Sequence, residues 1–175
     1  MNRKTGILPM LLAVALMLAA CGSAKTSDAL TTESLQKAEY QTEWTPEGTV
    51  RLEDGEYRAP AAPGSASEIV IQLSEYVAAG ELEGQPAAAV ILYSSGGGSG
   101  TFRELHVMIE QNGQPHDVAW TQLGDRVQIN ALFIQNGEIV VDMVTHGPDD
   151  PMCCPTQQVV QTFALQGEEL IKASE

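Results

Sequence analysis

Apolar and polar residues alternate in five runs spread along the chain. The runs cover residues 69–73, 104–110, 126–133, 138–143 and 163–165. Successive side chains of a β-strand point to opposite faces, so a period of two predicts strands with one buried face. The pattern therefore predicts an all-β domain.

Tight turns separate several of these runs. An Asp-Gly pair at 54–55 and Asn-Gly pairs at 112–113 and 136–137 tolerate the positive φ angles of two-residue hairpin turns. Strands joined in this way pair antiparallel, so we expect an antiparallel meander that forms a sandwich or a partly open barrel. One short helix is expected within residues 29–39.

The stretch from Ala87 to Tyr93 is almost entirely apolar. We expect it to be the most deeply buried strand, with both faces covered. Residues 94–100 are serine and glycine, which predicts a mobile hairpin tip before a strand that begins near Thr101. This segment lacks the lysine of a nucleotide-binding loop and precedes a strand instead of a helix, so it does not predict phosphate binding.

The chain begins with the three parts of a secretory signal. Arg3 and Lys4 open it, a largely apolar run covers residues 7–18, and small residues precede Cys21. The run is shorter than the ~20 apolar residues that span a bilayer. Residues 18–21 resemble the bacterial lipobox, in which the cysteine sulfur receives a diacylglycerol and the cysteine becomes the new N-terminus. The resemblance implies lipid attachment, including palmitate, at Cys21.

A lipobox implies three parts: a signal peptide at 1–20, a lipid-anchored tether at 21–38 and a single β-rich domain at 39–175. Several acyl chains on one residue hold a protein to a bilayer almost permanently. The protein is then expected on the cell membrane or the outer membrane, facing the periplasm or the exterior.

The chain is strongly acidic, with a formal net charge of −14 at pH 7. Loss of Arg3 and Lys4 with the signal makes the remainder more negative still. This charge repels nucleic acid phosphates, which excludes nucleic acid as a partner. Because the acidic residues are scattered, they indicate solubility in preference to an acidic binding patch.

If Cys21 carries lipid, Cys153 and Cys154 have only each other as partners within the chain. They form a vicinal disulfide or remain thiols. Adjacent Cα atoms lie about 3.8 Å apart, less than the ~4.4 Å minimum of ordinary disulfides, which disfavours the bond. An oxidising compartment and the bracketing Pro151 and Pro155 favour it, and we predict the disulfide.

Three histidines are available for metal binding or acid–base chemistry. His106 lies on the polar face of its predicted strand and His116 lies next to a turn, so both are expected at the solvated surface. His146 shares a loop with Asp149, Asp150 and the cysteine pair, which makes His146, Asp149 and Asp150 candidate metal ligands. Adjacent cysteines approach one ion badly, so a rigid, proline-braced loop without metal is the preferred interpretation, and no cofactor is predicted.

The segment from His146 to Pro155 reads His-Gly-Pro-Asp-Asp-Pro-Met-Cys-Cys-Pro. It resembles a C-terminal loop of uncharacterised lipid-anchored envelope lipoproteins of bacteria. Other members of that group have a turn similar to an aspartate-rich calcium loop, at the position of residues 80–86 here. Two glutamates replace most of its short oxygen ligands, so calcium binding is expected to be absent or weak.

Two functions follow from these observations. The first is a non-enzymatic module, lipid-anchored outside the cytoplasm, that binds an envelope protein or a cell-wall component or contributes to envelope structure. The alternative is a redox- or metal-responsive module that uses the loop from His146 to Cys154, because a strained disulfide is reduced more easily than a structural one. No catalytic residue is predicted.

Overall fold

The computed structural model describes residues 27–173, which contain one short helix and eleven strands. In chain order they are α1 (Thr32–Leu35), β1 (Glu39–Gln41), β2 (Thr49–Arg51), β3 (Glu56–Pro60), β4 (Glu68–Leu82), β5 (Gln85–Ser95), β6 (Phe102–Gln111), β7 (Gln114–Asp125), β8 (Gln128–Gln135), β9 (Glu138–Thr145), β10 (Gln157–Gln166) and β11 (Glu169–Lys172). Within this part of the chain, no helix is long and apolar enough to cross a membrane. The predicted signal peptide and Cys21 lie outside the described residues.

Three antiparallel sheets follow one another along the chain. β1 and β2 form a two-stranded ribbon, β3 to β7 a five-stranded sheet and β8 to β11 a four-stranded sheet. In each sheet, every strand pairs with its neighbour in sequence, and one sheet is curled into a half-barrel. The predicted all-β antiparallel meander is confirmed.

Two-residue turns set the strand register. The pairs at 54–55, 83–84, 112–113 and 136–137 all have positive φ, between 49° and 86°. Three of these turns were predicted from their Asp-Gly and Asn-Gly sequences. The fourth, at Glu83 and Gly84, turns residues 80–86 into the tip of the β4–β5 hairpin.

The first hydrophobic core lies between the five-stranded and the four-stranded sheet. Ile91 and Leu105 enter it from β5 and β6, and Val141 and Met143 enter it from β9. All four side chains are fully buried. Burial of a large aliphatic side chain contributes about 1.5–3 kcal/mol to the free energy of unfolding. This core is therefore the main interaction that holds the two sheets together.

The second core covers the opposite face of the five-stranded sheet. Leu35 of α1, Tyr40 of β1 and Leu52 pack there against Val90 and Leu92 of β5. Because β5 meets a core on each face, every residue from Ala87 to Leu92 is at most 2% exposed. This confirms that the apolar stretch is a strand with both faces covered.

We call residues 27–52 the N-terminal segment, since they form one layer over the five-stranded sheet. Thr31 caps α1 by accepting a hydrogen bond from the backbone N of Ser34, which confirms the predicted short helix. Leu30, Leu35 and Ala38 are buried in the second core. The packed part of the chain therefore begins before residue 39, where the domain was expected to start.

Candidate functional site

A histidine and two carboxylates meet in the second core. His106 is fully buried, with Nδ1 2.8 Å from Asp117 Oδ2 and Nε2 3.6 Å from Glu104 Oε2. Glu104 and His106 lie on β6, and Asp117 lies on β7, the neighbouring strand. We call these three side chains the ionic cluster. The expectation that His106 lies at the solvated surface is wrong, because the N-terminal segment covers the polar face of β6.

Hydrogen bonds from two other segments reach both carboxylates of the ionic cluster, although Asp117 Oδ1 has no hydrogen-bond partner among the described residues. Trp44 Nε1 donates to Glu104 Oε1 at 2.8 Å, and the backbone N of Gln41 donates to Asp117 Oδ2 at 2.8 Å. Ser94, at the end of β5, donates its hydroxyl to Glu104 Oε2 at 2.8 Å. Buried carboxylates are costly without such partners, so the cluster fastens the N-terminal segment to the sheet.

Two aromatic rings enclose the imidazole of His106. Trp120 stacks on it with centroids 5.7 Å apart and planes 10° apart, and Tyr40 meets it edge-on at 5.5 Å. The Tyr40 hydroxyl is itself buried and donates to the carbonyl of Leu35 at 2.9 Å. A ring face attracts a cation, so the stacked indole favours the charged imidazolium.

The ionic cluster keeps His106 charged at neutral pH. Burial lowers the pKa of the imidazole, but the charge of Asp117 and its hydrogen bond, with a contribution from Glu104, outweigh burial and raise the pKa from 6.5 to about 9. The three side chains are at most 3% exposed. A protonated imidazole sealed from solvent is unsuited to act as a general base, so this cluster has a structural role.

A polar cleft of about 570 Å³ opens between the N-terminal segment and β7. Its polar lining includes Lys37, Gln41 and Arg51 on one wall and Gln114, His116 and Glu168 on the other, among further polar residues such as Glu39 and Thr49. His116 is exposed, as predicted. Asp117 contributes to both the cleft and the ionic cluster. The cluster therefore fixes the position of one wall relative to the other.

The side chains of the polar cleft offer both donors and acceptors. Arg51 donates to the carbonyl of Lys37 at 3.1 Å and lies 3.4 Å from Glu39, which partly compensates its charge. The Gln41 amide donates to the carbonyl of Asp117 at 3.1 Å. Most ligand pockets place a few polar groups in an apolar lining, whereas polar atoms make up slightly more than half of the lining of this cleft. The cleft can therefore both donate and accept hydrogen bonds.

The loop from His146 to Pro155, which we call the disulfide loop, connects β9 to β10. The sulfurs of Cys153 and Cys154 are bonded, and the two Cα atoms lie 3.8 Å apart. Both cysteines are exposed, and Met152 before them is 75% exposed, whereas Pro155 is buried. The loop therefore presents a run of sulfur-containing side chains at the surface.

The candidate ligands of the disulfide loop do not converge on one point. Asp150 accepts hydrogen bonds from the backbone N of Gly147 at 2.9 Å and from the N and Oγ1 of Thr156 at 2.7 and 2.8 Å. These bonds lower the pKa of Asp150. His146 Nε2 lies 3.2 Å from the carbonyl of Met152. Among residues 27–173, no three His, Cys, Asp or Glu side chains form a group suited to hold a metal ion, so His146, Asp149 and Asp150 do not make one.

Arg126 joins the disulfide loop to the glycine-rich turn at 94–100. Its guanidinium donates to the carbonyl of Met152 at 3.1 Å and to the carbonyl of Ser99 at 2.6 Å, and it contacts the carboxylate of Asp125. Two segments that stand about fifty residues apart in sequence thus lie at the same end of the molecule. No sequence pattern indicated this contact.

The glycine-rich turn lies between β5 and β6, as predicted, but it is not merely a spacer. A Cβ at Gly96 would lie 2.5 Å from the Trp44 ring, which is far inside van der Waals contact. By contrast, a Cβ at Gly98 would meet nothing within 4 Å. Glycine at 96 therefore allows the indole that binds Glu104 to approach the backbone closely.

Comparisons with protein-family models, with curated proteins and with solved structures gave no match for this chain. The geometry of the ionic cluster, the polar cleft and the disulfide loop is therefore the basis for any functional inference.

Proposed function

We propose that this protein is an extracytoplasmic module, anchored by lipid at Cys21, that binds a hydroxyl- and amide-rich component of the cell envelope in the polar cleft. The proposal is based on the volume and the lining of the polar cleft. Its volume of about 570 Å³ suits a ligand of several sugar or amino acid residues, and its lining supplies hydrogen bonds to such a ligand. The binding is non-enzymatic.

The histidine and carboxylate side chains in and near the cleft favour binding over catalysis. The nearest histidine–carboxylate arrangement is the ionic cluster, whose side chains are buried and at most 3% exposed. His116 is exposed on the wall of the cleft, but among residues 27–173 it takes part in no metal-binding group. General acid–base chemistry needs a titrating group within hydrogen-bonding reach of the substrate and a partner to orient it.

The proposed anchor places the cleft close to the membrane. Ser27 is already packed, donating its hydroxyl to Glu110 on β6. The six Cα–Cα steps from Cys21 to Ser27 span at most about 20 Å when fully extended. The N-terminal segment that forms one wall of the cleft would then lie near the lipid headgroups, which favours a ligand of the inner layers of the envelope.

Sedimentation with purified cell-wall sacculi tests the ligand. We expect the mature protein to pellet with the sacculi and the double variant Arg51→Gln, Gln114→Ala to bind about thirtyfold more weakly, since each of the two lost hydrogen bonds contributes about 1 kcal/mol. Arg58→Gln is the matched control, because Arg58 is also exposed and paired with glutamates but lies on β3 outside the cleft. Equal pelleting of all three proteins would argue against the cleft, and no pelleting together with no partner after cross-linking on native membranes would argue against the function.

Labelling with a fatty acid tests the anchor separately. We expect the wild-type protein to take up the label and to fractionate with membranes, and Cys21→Ser to do neither. An unlabelled wild-type protein would remove the proposed location, whereas the cleft and its ligand would still be open to the sedimentation test.

A further inference from the structure

The disulfide between Cys153 and Cys154 closes no loop of the main chain. A disulfide stabilises a fold largely by restricting the unfolded chain, and this effect grows with the number of residues between the two cysteines. Adjacent cysteines have none between them. By this mechanism the bond contributes almost nothing to stability, in contrast to a disulfide that joins distant strands.

Other contacts already hold the disulfide loop in place. The carboxylate of Asp150 bridges the two ends of the loop, accepting from Gly147 N on one side and from Thr156 N and Oγ1 on the other. Arg126 holds the middle of the loop through the carbonyl of Met152, and Pro155 is buried. None of these contacts involves a sulfur atom. The loop therefore has a framework that does not depend on the bond.

The disulfide is also open to attack. Cys153 and Cys154 are both exposed, and the neighbouring Met152 is 75% exposed. Thiol–disulfide exchange requires a thiolate to approach one sulfur of the bond, so exposed disulfides are the ones that exchange while the protein stays folded. A bond that does not brace the fold and that stands at the surface has the properties of a reactive site.

We propose that Cys153 and Cys154 form a thiol–disulfide exchange site that accepts two electrons from a dithiol protein. A thiolate of the partner attacks one sulfur, forming a mixed disulfide, while the other sulfur leaves as a thiolate and takes up a proton. The second thiol of the partner then breaks the mixed disulfide. The net reaction converts this disulfide and the partner dithiol into two thiols here and a disulfide on the partner, with two electrons and two protons transferred.

This reaction goes beyond ligand binding in the polar cleft and does not rest on it. The cleft is lined by the N-terminal segment, β7 and the β10–β11 turn, whereas the exchange site lies on the β9–β10 connection beside the glycine-rich turn. Failure of one proposal leaves the other standing, because sedimentation with sacculi reports on the cleft and thiol chemistry reports on the loop.

The test is reduction of the folded, mature protein with dithiothreitol, followed by alkylation and mass spectrometry of the peptide that contains both cysteines. Reading this peptide alone keeps Cys21 out of the measurement. We expect two alkyl groups on the peptide at a reduction rate within about tenfold of the rate in denaturant, with the melting temperature unchanged to within about 2 °C. Reduction that occurs only in denaturant, or that melts the protein, would overturn the proposal.

The double variant Cys153→Ser, Cys154→Ser provides the second measurement. We expect its melting temperature to stay within about 2 °C of the wild type, because the framework of the loop contains no sulfur. A large fall in the variant and in the reduced wild type would show that the bond is a structural staple. In cells, acid quenching and alkylation should find the reduced pair in part of the wild-type population, and a pair that is fully oxidised under every growth condition would also contradict exchange.

Discussion

The ionic cluster and the disulfide loop hold the same kinds of side chain in opposite surroundings. Each contains a histidine and two acidic residues, but the cluster is sealed in the second core and the loop stands at the surface. The loop is contiguous in sequence and its hydrogen bonds are mostly internal. The cluster and its hydrogen-bond partners come from four separate segments, namely the N-terminal segment, β5, β6 and β7. The disulfide loop, which stands out in the sequence, is therefore held mainly by local contacts. The ionic cluster, which no sequence motif marks, holds distant parts of the chain together.

Removing the histidine should separate the two regions most strongly. His106→Leu leaves the buried carboxylates of Glu104 and Asp117 without a cation, so we expect a loss of about 3–5 kcal/mol in the free energy of unfolding. His146→Leu, in the disulfide loop, should cost less than about 1 kcal/mol. Urea denaturation measures both values, and equal losses would mean that the ionic cluster is not a special determinant of stability.

The ionic cluster should make the stability of the protein depend on pH, through the titration of His106. The pKa of His106 is 6.5 in the unfolded chain and about 9 in the folded protein, so its stabilisation is complete below pH 6.5 and is lost as the pH rises to 9. The loss should be on the order of 3 kcal/mol, since one pKa unit corresponds to about 1.4 kcal/mol. Burial and the charge of Asp117 raise the pKa of Tyr40 above 10, which keeps Tyr40 out of this range.

Urea denaturation at several pH values between 6 and 9 tests this dependence. In His106→Leu, the fall in stability over this range should be absent. A wild-type curve that stays flat, or a variant curve that falls as steeply as the wild type, would show that His106 is not the titrating group.

The next largest loss of stability is expected where Trp44 contacts the glycine-rich turn. Gly96→Ala places a Cβ within 2.5 Å of the indole, so the ring must move and its hydrogen bond to Glu104 must lengthen. We expect a loss of about 1–3 kcal/mol and a shift in tryptophan fluorescence. Gly98→Ala is the matched control, with open space around its Cβ. Identical behaviour of the two variants would mean that the turn is too flexible for the contact to matter.

The smallest effect is expected in the disulfide loop. Asp150→Ala removes the acceptor shared by Gly147 and Thr156, so we expect a modest fall in the melting temperature and faster proteolysis of the loop. Asp149→Ala, one residue earlier and exposed, should change neither. Because the pKa of Asp150 is lowered, its contribution is present above its usual pKa of 3.8 and is lost as the pH falls below that value. Faster proteolysis of Asp149→Ala than of Asp150→Ala would contradict this assignment.

Features of the fold that have a local cause can be predicted from the sequence. The positive φ angles at 54–55, 112–113 and 136–137 follow from the residue types, and the turn at 112–113 fixes Asp117 opposite Met108 in the β6–β7 hairpin. This register brings Asp117 to the same face as His106, so their proximity was in principle predictable. Their burial was not, because alternation alone does not reveal that a second layer covers the polar face.

Side-chain periodicity and turn chemistry act over a few residues, so they predicted β4, β5, β6, β8, β9 and β10, three of the tight turns and the antiparallel order. They did not predict β1, β2, β3, β7 or β11. Which polar faces are solvated depends on where the N-terminal segment packs, so it follows from the folded arrangement and not from local sequence. The folded arrangement also determines that Arg126 links the glycine-rich turn to the disulfide loop and that the two walls of the polar cleft meet. Burial and long-range contacts are properties of several segments together, and no single segment encodes them.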